Sequence, residues 1–307
     1  MSGWAQSGEF WAVVAGLLWA LAVILYRLAG DKVPPLTMNL FKGVVALVVF
    51  IPLLVAPALM GAEGAGWPDW TADTWLKLIA SGVIGITLAD TFFFAALNRL
   101  GAGLTSVVGC LYFPILAVMA NIVLGDQLST VTVAGAGLII AGIVLGSLGT
   151  AGTRSTEGLS SRDLAIGVLF QASAVLTLAV SVVMVTDIVR AEPVLWTTSV
   201  RLAAGTAVIA PIVLLGPQRH VARLLFRPSP LWRYALPGAV LGGALSNLAW
   251  IAGFAHTQIA IAAILNQLAT IYIFVLAAVV LNEPFTPRRA AAVTAAFAGA
   301  AIIIVAG

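Results

Sequence analysis

Leu100–Ser129, LGAGLTSVVGCLYFPILAVMANIVLGDQLS, and Thr257–Thr286, TQIAIAAILNQLATIYIFVLAAVVLNEPFT, share one design. Each is an apolar helix that stops at an acidic turn, Gly125-Asp126 in the first and Asn282-Glu283-Pro284 in the second, and a small-residue helix follows. Setting Leu124 on Leu281 gives an offset of 157 residues (281 − 124), which puts Asp126 on Glu283, Ser129 on Thr286, Ala120 on Ala277 and Gly142 on Gly299. Identity along the aligned stretch is sparse, but the order of features is the same. The chain reads as two copies of one membrane-embedded unit.

Composition sets the solvent. Hydrophobic residues make up 61% of the chain and charged residues 9%, with a mean hydropathy of +1.09. A water-facing surface needs about 25% charged residues, so the expected class is an all-α integral membrane protein. Apolar runs of about 20 residues suit helices crossing a hydrocarbon core of about 30 Å. The alternating segments of a barrel are missing from the sequence. The net charge of +3 sits in the loops, which speaks for topology and against a nucleic-acid partner. The single cysteine, Cys110, has no disulfide partner within the chain and reads as a small packing residue inside a helix. The opening MSGWAQSGEF lacks a basic segment, so no cleaved signal peptide is expected.

Helices are predicted near 9–29, 36–57, 76–98, 101–124, 130–149, 163–186, 194–215, 232–255, 258–281 and 288–306. Pro34-Pro35 separates the first two, because proline lacks a donor and bars the residue before it from helical geometry. The polar stretch TAGTRSTEGLSSR, Thr150–Arg162, divides the chain into a repeat over 1–150, a linker over 151–162 and a repeat over 163–307. Five helices per copy is an odd number. The second copy must then enter the membrane inverted, the plan of many secondary transporters with a site near the midplane. Lys and Arg set the orientation. Loops after the odd-numbered helices hold Arg27, Lys32, Arg99, Arg154, Arg162, Arg219, Arg223, Arg227, Arg233, Arg288 and Arg289, against Lys77 and Arg190 on the other side. The first set is expected to be cytoplasmic and both termini outside.

This layout resembles the drug/metabolite transporter superfamily, in particular its ten-helix EamA-type members. The resemblance rests on several features: Leu18-Trp19-Ala20 in a small-residue first helix, the proline-then-basic entries Pro35 to Lys42 and Pro193 to Arg201, Phe94-Ala95-Ala96-Leu97 closing the third helix, and the turns at Asp126 and Glu283. It implies solute transport across the cell (inner or plasma) membrane by alternating access, often efflux of metabolites, amino acids or toxic compounds. Asp126 stands where the family usually has Glu, and many members keep both termini in the cytoplasm, the reverse of the charge bias here.

Ionisable groups inside membrane helices cost about 2.5–3.5 kcal/mol each on insertion scales, so they face a cavity or a partner. Lys42, Asp90 and Arg201 are the clear cases. Lys42 lies about 9 Å along the second helix and Asp90 about 12 Å from the same end of the antiparallel third, depths that allow them to pair. The offset places Asn247 opposite Asp90 and leaves Arg201 without a carboxylate. Arg201 then either attracts an anionic group of the solute or caps carbonyls and snorkels to the rim. Asp90 could alternatively carry a coupling proton. Polar stripes run along Asn39, Lys42, Gly43 and Ala46; Ser173, Thr177 and Ser181; Asn247, Trp250 and Phe254; and Asn266 and Thr270, with Trp19 and Tyr26 on the first helix. Each serves either a cavity or ordinary helix–helix bonding. The candidate solute-binding residues are Trp19, Asn39, Lys42, Asp90, Arg201, Asn247, Trp250, Asn266 and Thr270. Glycines 135, 142, 146 and 299 give the fifth and tenth helices close-packing faces, which would also serve a homodimer. Asp126 and Glu283 suit the positive ends of the helices that follow.

An intramembrane enzyme and a channel are the competing readings. His220 and His256 lie at or beside loops, with no Gly-x-Ser-Gly run near them, and Asp90 lacks the second aspartate of an aspartyl protease. No metal or cofactor motif is present in the sequence. Polar stripes broken over many helices fit a carrier's cavity better than an open pore.

Overall fold

The computed structural model describes residues 7–30, 33–60, 67–124, 129–147, 160–257, 259–282 and 286–306. The first half carries α1 (Gly8–Gly30), α2 (Pro35–Leu59), α3 (Ala72–Gly82), α4 (Asp90–Gly109), α5 (Tyr112–Leu124) and α6 (Thr130–Ser147). The second carries α7 (Ser161–Val183), α8 (Thr186–Ala191), α9 (Val194–Leu215), α10 (Arg219–Leu225), α11 (Trp232–Gly238), α12 (Ser246–His256), α13 (Ile259–Val280) and α14 (Pro287–Ala306). Among the described residues there is no strand. Among the described residues six helical stretches are long and apolar enough to cross a membrane: Gly8–Ala29, Pro35–Pro57, Ala72–Gly109, Ser161–Val183, Val194–Leu215 and Trp232–His256. Large apolar side chains such as Val48, Ile51, Ile122, Leu169 and Ile212 stand exposed on the helices, as a bilayer solvent requires.

Local chemistry moves several boundaries away from the sequence expectation. The third helix begins at Ala72 because Thr71 caps it, its hydroxyl accepting from Thr74 N at 3.3 Å. Seven-residue π-helical turns, Val83–Ala89 and Ala239–Leu245, join α3 to α4 and α11 to α12. Gly101, with φ 74° and ψ 171°, breaks α4 into two helices. The helix expected over 101–124 is interrupted at Cys110-Leu111, so Cys110 sits at a break and not mid-helix. Pro114 explains this: lacking an N–H, it cannot bond the Cys110 carbonyl. Ser160 and Asp163 form a reciprocal capping box at the start of α7, inside the stretch expected to be linker. Two short helices, α8 and α10, lie outside the ten expected from the sequence. The turns at Asp126 and Glu283, and linker residues 151–159, lie outside the described residues.

The two halves interlock. α1 packs against α11, α12 and α13 of the second half, and α7 packs against α3, its π turn, α4 and α5 of the first. α2 lies on α9, and α6 lies on α14. Exchanging the halves maps this set of pairings onto itself. Close approach demands glycine where α3 meets α9: a Cβ at Gly205 would lie 2.7 Å from the Gly82 carbonyl oxygen.

The two ends of the bundle differ in chemistry. At one, Trp70 Nε1 donates to Glu192 Oε2 at 2.6 Å, and the Trp67 and Trp196 rings meet at a tilt of 46° with centroids 5.2 Å apart. At the other, Thr37 donates to Gln218 Oε1 at 3.0 Å, and Arg219, Arg223, Arg227 and Arg233 stand exposed on and after α10.

Candidate functional site

A cavity of about 210 Å³ lies between the halves. α1, α2, the first π turn, α4 and α5 supply one part of its wall, and α7, α9, the second π turn, α12 and α13 the other. Its surface is mainly apolar and aromatic, with Trp19, Val23, Phe93, Leu178, Trp250 and Ile273. Three ionisable side chains of opposite sign are set into it: Lys42, Asp90 and Arg201.

Lys42 and Asp90 form a hydrogen-bonded ion pair, Nζ to Oδ2. Lys42 is 4% exposed and its ammonium lies 5.7 Å from the centroid of the Phe94 ring. Asp90 is the first residue of α4, directly after the π turn. Gly243, in the opposite half's π turn, lets the backbone come up against Lys42: a Cβ there would lie 2.8 Å from Lys42 Cγ.

Arg201 is 3% exposed and is held by hydroxyls. Its Nε donates to Ser81 Oγ and its Nη2 to Ser181 Oγ, both at 2.9 Å. Each serine hydroxyl also donates to the other's carbonyl, Ser81 to Ser181 O at 2.8 Å and Ser181 to Ser81 O at 2.9 Å. The hydroxyl protons are thus spent on carbonyls, and the lone pairs face the guanidinium. Ser81 belongs to the first half, Ser181 and Arg201 to the second, so this knot ties the halves together. Among the described residues no carboxylate forms an ion pair with Arg201.

Of the nine candidates, Trp19, Lys42, Asp90, Arg201, Asn247, Trp250, Asn266 and Thr270 line the cavity. Asn39 does not reach it. Its Nδ2 donates to the Ile86 carbonyl at 2.6 Å and to Thr91 Oγ1 at 3.0 Å, pinning α2 to the π turn. Other stripes also face elsewhere. Thr177 bonds back to the Ser173 carbonyl at 2.8 Å, Phe254 is buried in a core cluster, and α7 lines the cavity with Gln171, Ala174, Val175 and Leu178. The sequence reading missed Tyr112 and Gln171, and Ser81 as Arg201's partner. A lone amide in the apolar run of α7 was the available signal for Gln171. Among the described residues three polar atoms of the lining are buried without a hydrogen-bond partner: Tyr112 OH, Gln171 Oε1 and Asn266 Nδ2. Among the described residues no three His, Cys, Asp or Glu side chains gather as metal ligands would.

Comparison with known proteins covers nearly the whole chain. The sequence model of the EamA-like transporter family matches twice, over residues 6–148 and 165–305. A solved structure whose description reads only "Crystal structure of protein" is similar over 98% of this chain and 100% of its own, with a TM-score of 0.69 and 20% identity, a likeness of fold. No curated protein matches the chain.

Proposed function

This chain belongs to the EamA-like transporter family, and from that premise we propose that it is a secondary-active exporter or exchanger of a small polar or amphipathic metabolite such as an amino acid. In this reading ten helices, as inverted five-helix repeats over 1–150 and 163–307, span the cell membrane and rock about the central cavity by alternating access. One observation carries the proposal: residues of both halves wall one cavity, and Lys42, Asp90 and Arg201 are set into its largely apolar lining. Its volume of about 210 Å³ falls below the roughly 300–1,000 Å³ of drug-sized pockets, which favours a small solute.

Each charged group then has a role. The Lys42–Asp90 pair fixes α2 to the start of α4 within the first half and acts as a structural or gating contact. Arg201 meets the solute's anionic group. Because its Nε and Nη2 are also bonded to Ser81 and Ser181, a solute that pulls on Arg201 loosens a tie between the halves, which links occupancy to rocking.

The test is transport by purified protein in proteoliposomes, with solutes first selected by thermal stabilisation against metabolite pools. Saturable uptake with counterflow is expected. Arg201→Gln should lower transport at least about tenfold while leaving a folded protein, since one lost charge-assisted hydrogen bond is worth about 1.5–3 kcal/mol. Flux without saturation or counterflow would mean a channel, and unchanged kinetics in Arg201→Gln would remove Arg201 from the site.

A further inference from the structure

The cavity's ionisable lining adds up to one excess positive charge: Lys42 and Asp90 cancel, and Arg201 remains. The serines that hold Arg201 are neutral and orient it without cancelling its charge. A guanidinium carries five N–H donors. Two of Arg201's are used, on Ser81 and Ser181. Among the described residues the other three have no acceptor.

The unpartnered neutral groups add a second constraint. Gln171 Oε1 and Asn266 Nδ2 are buried lining atoms without partners, one an acceptor and the other a donor, and the Tyr112 hydroxyl is similarly unbonded. Gln171 is 4% exposed and Tyr112 7%, so both side chains are turned away from the outer surface. A buried polar atom left unbonded costs about 1–3 kcal/mol. A hydroxyl both donates and accepts, so one hydroxyl on a solute can serve an acceptor and a donor of this kind. An ammonium donates only, and the carboxylate it would seek, Asp90, is already held by Lys42.

Resting on the proposal that this cavity is the transport site, we infer that its solute is a hydroxy-monocarboxylate of net charge −1 with an apolar body, and not a zwitterionic amino acid. The carboxylate sits on Arg201, the hydroxyl on the Gln171, Asn266 and Tyr112 side, and the apolar body against Trp19, Phe93 and Trp250. The inference keeps the small amphipathic metabolite proposed above and replaces its amino-acid example with an anion.

Four solutes on one skeleton separate the charge classes: 2-hydroxy-4-methylpentanoate (anion), its amide (neutral), leucine (zwitterion) and leucinamide (cation). Affinities are read on the purified full chain by calorimetry and thermal shift. The hydroxy acid should bind at least about tenfold more tightly than its amide and leucinamide, which lack the carboxylate that Arg201 would hold, and more tightly than leucine, whose ammonium adds a positive charge to a cavity already positive. Arg201→Gln should abolish that preference. If that variant does not fold, the wild-type ranking of the four solutes decides alone. Tightest binding by leucine, the amide or leucinamide would overturn the inference, as would an anion preference that survives Arg201→Gln. Binding by none of the four would overturn it too. Counterflow of an amino acid or any other solute would in those cases leave the transporter reading standing, so the two failures are distinct.

Discussion

Lys42 and Asp90 satisfy each other, so removing either strands the other in an apolar wall. Lys42→Met leaves the Asp90 carboxylate without its hydrogen-bonded cation, a change that costs about 3–5 kcal/mol in buried pairs. The double substitution Lys42→Met with Asp90→Asn removes both charges and should be more stable than Lys42→Met alone. Thermal unfolding of the three variants as a double-mutant cycle measures the coupling; a double variant no more stable than Lys42→Met would mean that the pair is not what holds α2 to α4. Glycine contacts give a second test. A Cβ at Gly205 would fall 2.7 Å from both the Gly82 carbonyl oxygen and Ile86 Cβ, whereas one at Gly137 meets nothing within 4 Å. Gly205→Ala should therefore destabilise by about 1–3 kcal/mol, and Gly137→Ala should leave the melting temperature unchanged or raised. At this scale the sequence is most legible where a residue is out of place. Lys42, Asp90 and Arg201 announce themselves as charges in apolar runs, and all three line the cavity. Ser81 and Ser181 do not, because serine is ordinary in a membrane helix, and nothing in their spacing of 100 residues hints that they meet.

The elements carry the part of the fold that periodicity hides. A π turn inserts about one residue into a helix, and this chain has one at the same place in each half, Val83–Ala89 and Ala239–Leu245. Their offset is 156 residues, one less than the offset read from the acidic turns, so Asp90 corresponds to Ser246 and not to Asn247. Ser246 donates to the Ala15 carbonyl of α1 at 3.0 Å, and its neighbour Asn247 lines the cavity. A hydropathy pattern cannot show a single-residue slip inside an apolar run, because every face there is apolar. Each π turn also packs on the opposite half, one on α9 and α7, the other on α2 and α1, which places a locally underwound, widened helix where the two halves meet. Gly101 is a stop of a different kind. Its φ of 74° with ψ of 171° lies in a region that glycine alone adopts with ease, where a side chain costs about 1–3 kcal/mol. Gly101→Ala should lower thermal stability by about that amount, measured by the shift in unfolding midpoint, and an unchanged midpoint would show that the break at Gly101 adapts without strain.

Over the whole molecule, the interlocked halves explain why two sparsely identical sequences keep one plan: each first helix is needed by the other half's third and fourth. That exchange symmetry is also what lets a single cavity be walled by both. Charge is the feature that breaks the symmetry. One end carries Asp69, Asp73, Asp187 and Glu192 among Trp67, Trp70, Trp75 and Trp196, and the other carries the exposed arginines of α10 and its flanks. The rule that Lys and Arg stay on the cytoplasmic side predicts that α10 faces inward and the tryptophan-rich end outward. The chain offers a clean reporter, since its one cysteine, Cys110, is 5% exposed. Lys77→Cys and Arg223→Cys each place a thiol at an exposed position at opposite ends of the bundle. In intact cells a membrane-impermeant maleimide should label Lys77→Cys and leave Arg223→Cys unlabelled until the cells are lysed, while the parent chain stays unlabelled throughout. The reverse pattern would put α10 outside and would mean that the orientation follows the family habit of cytoplasmic termini and not the distribution of basic residues.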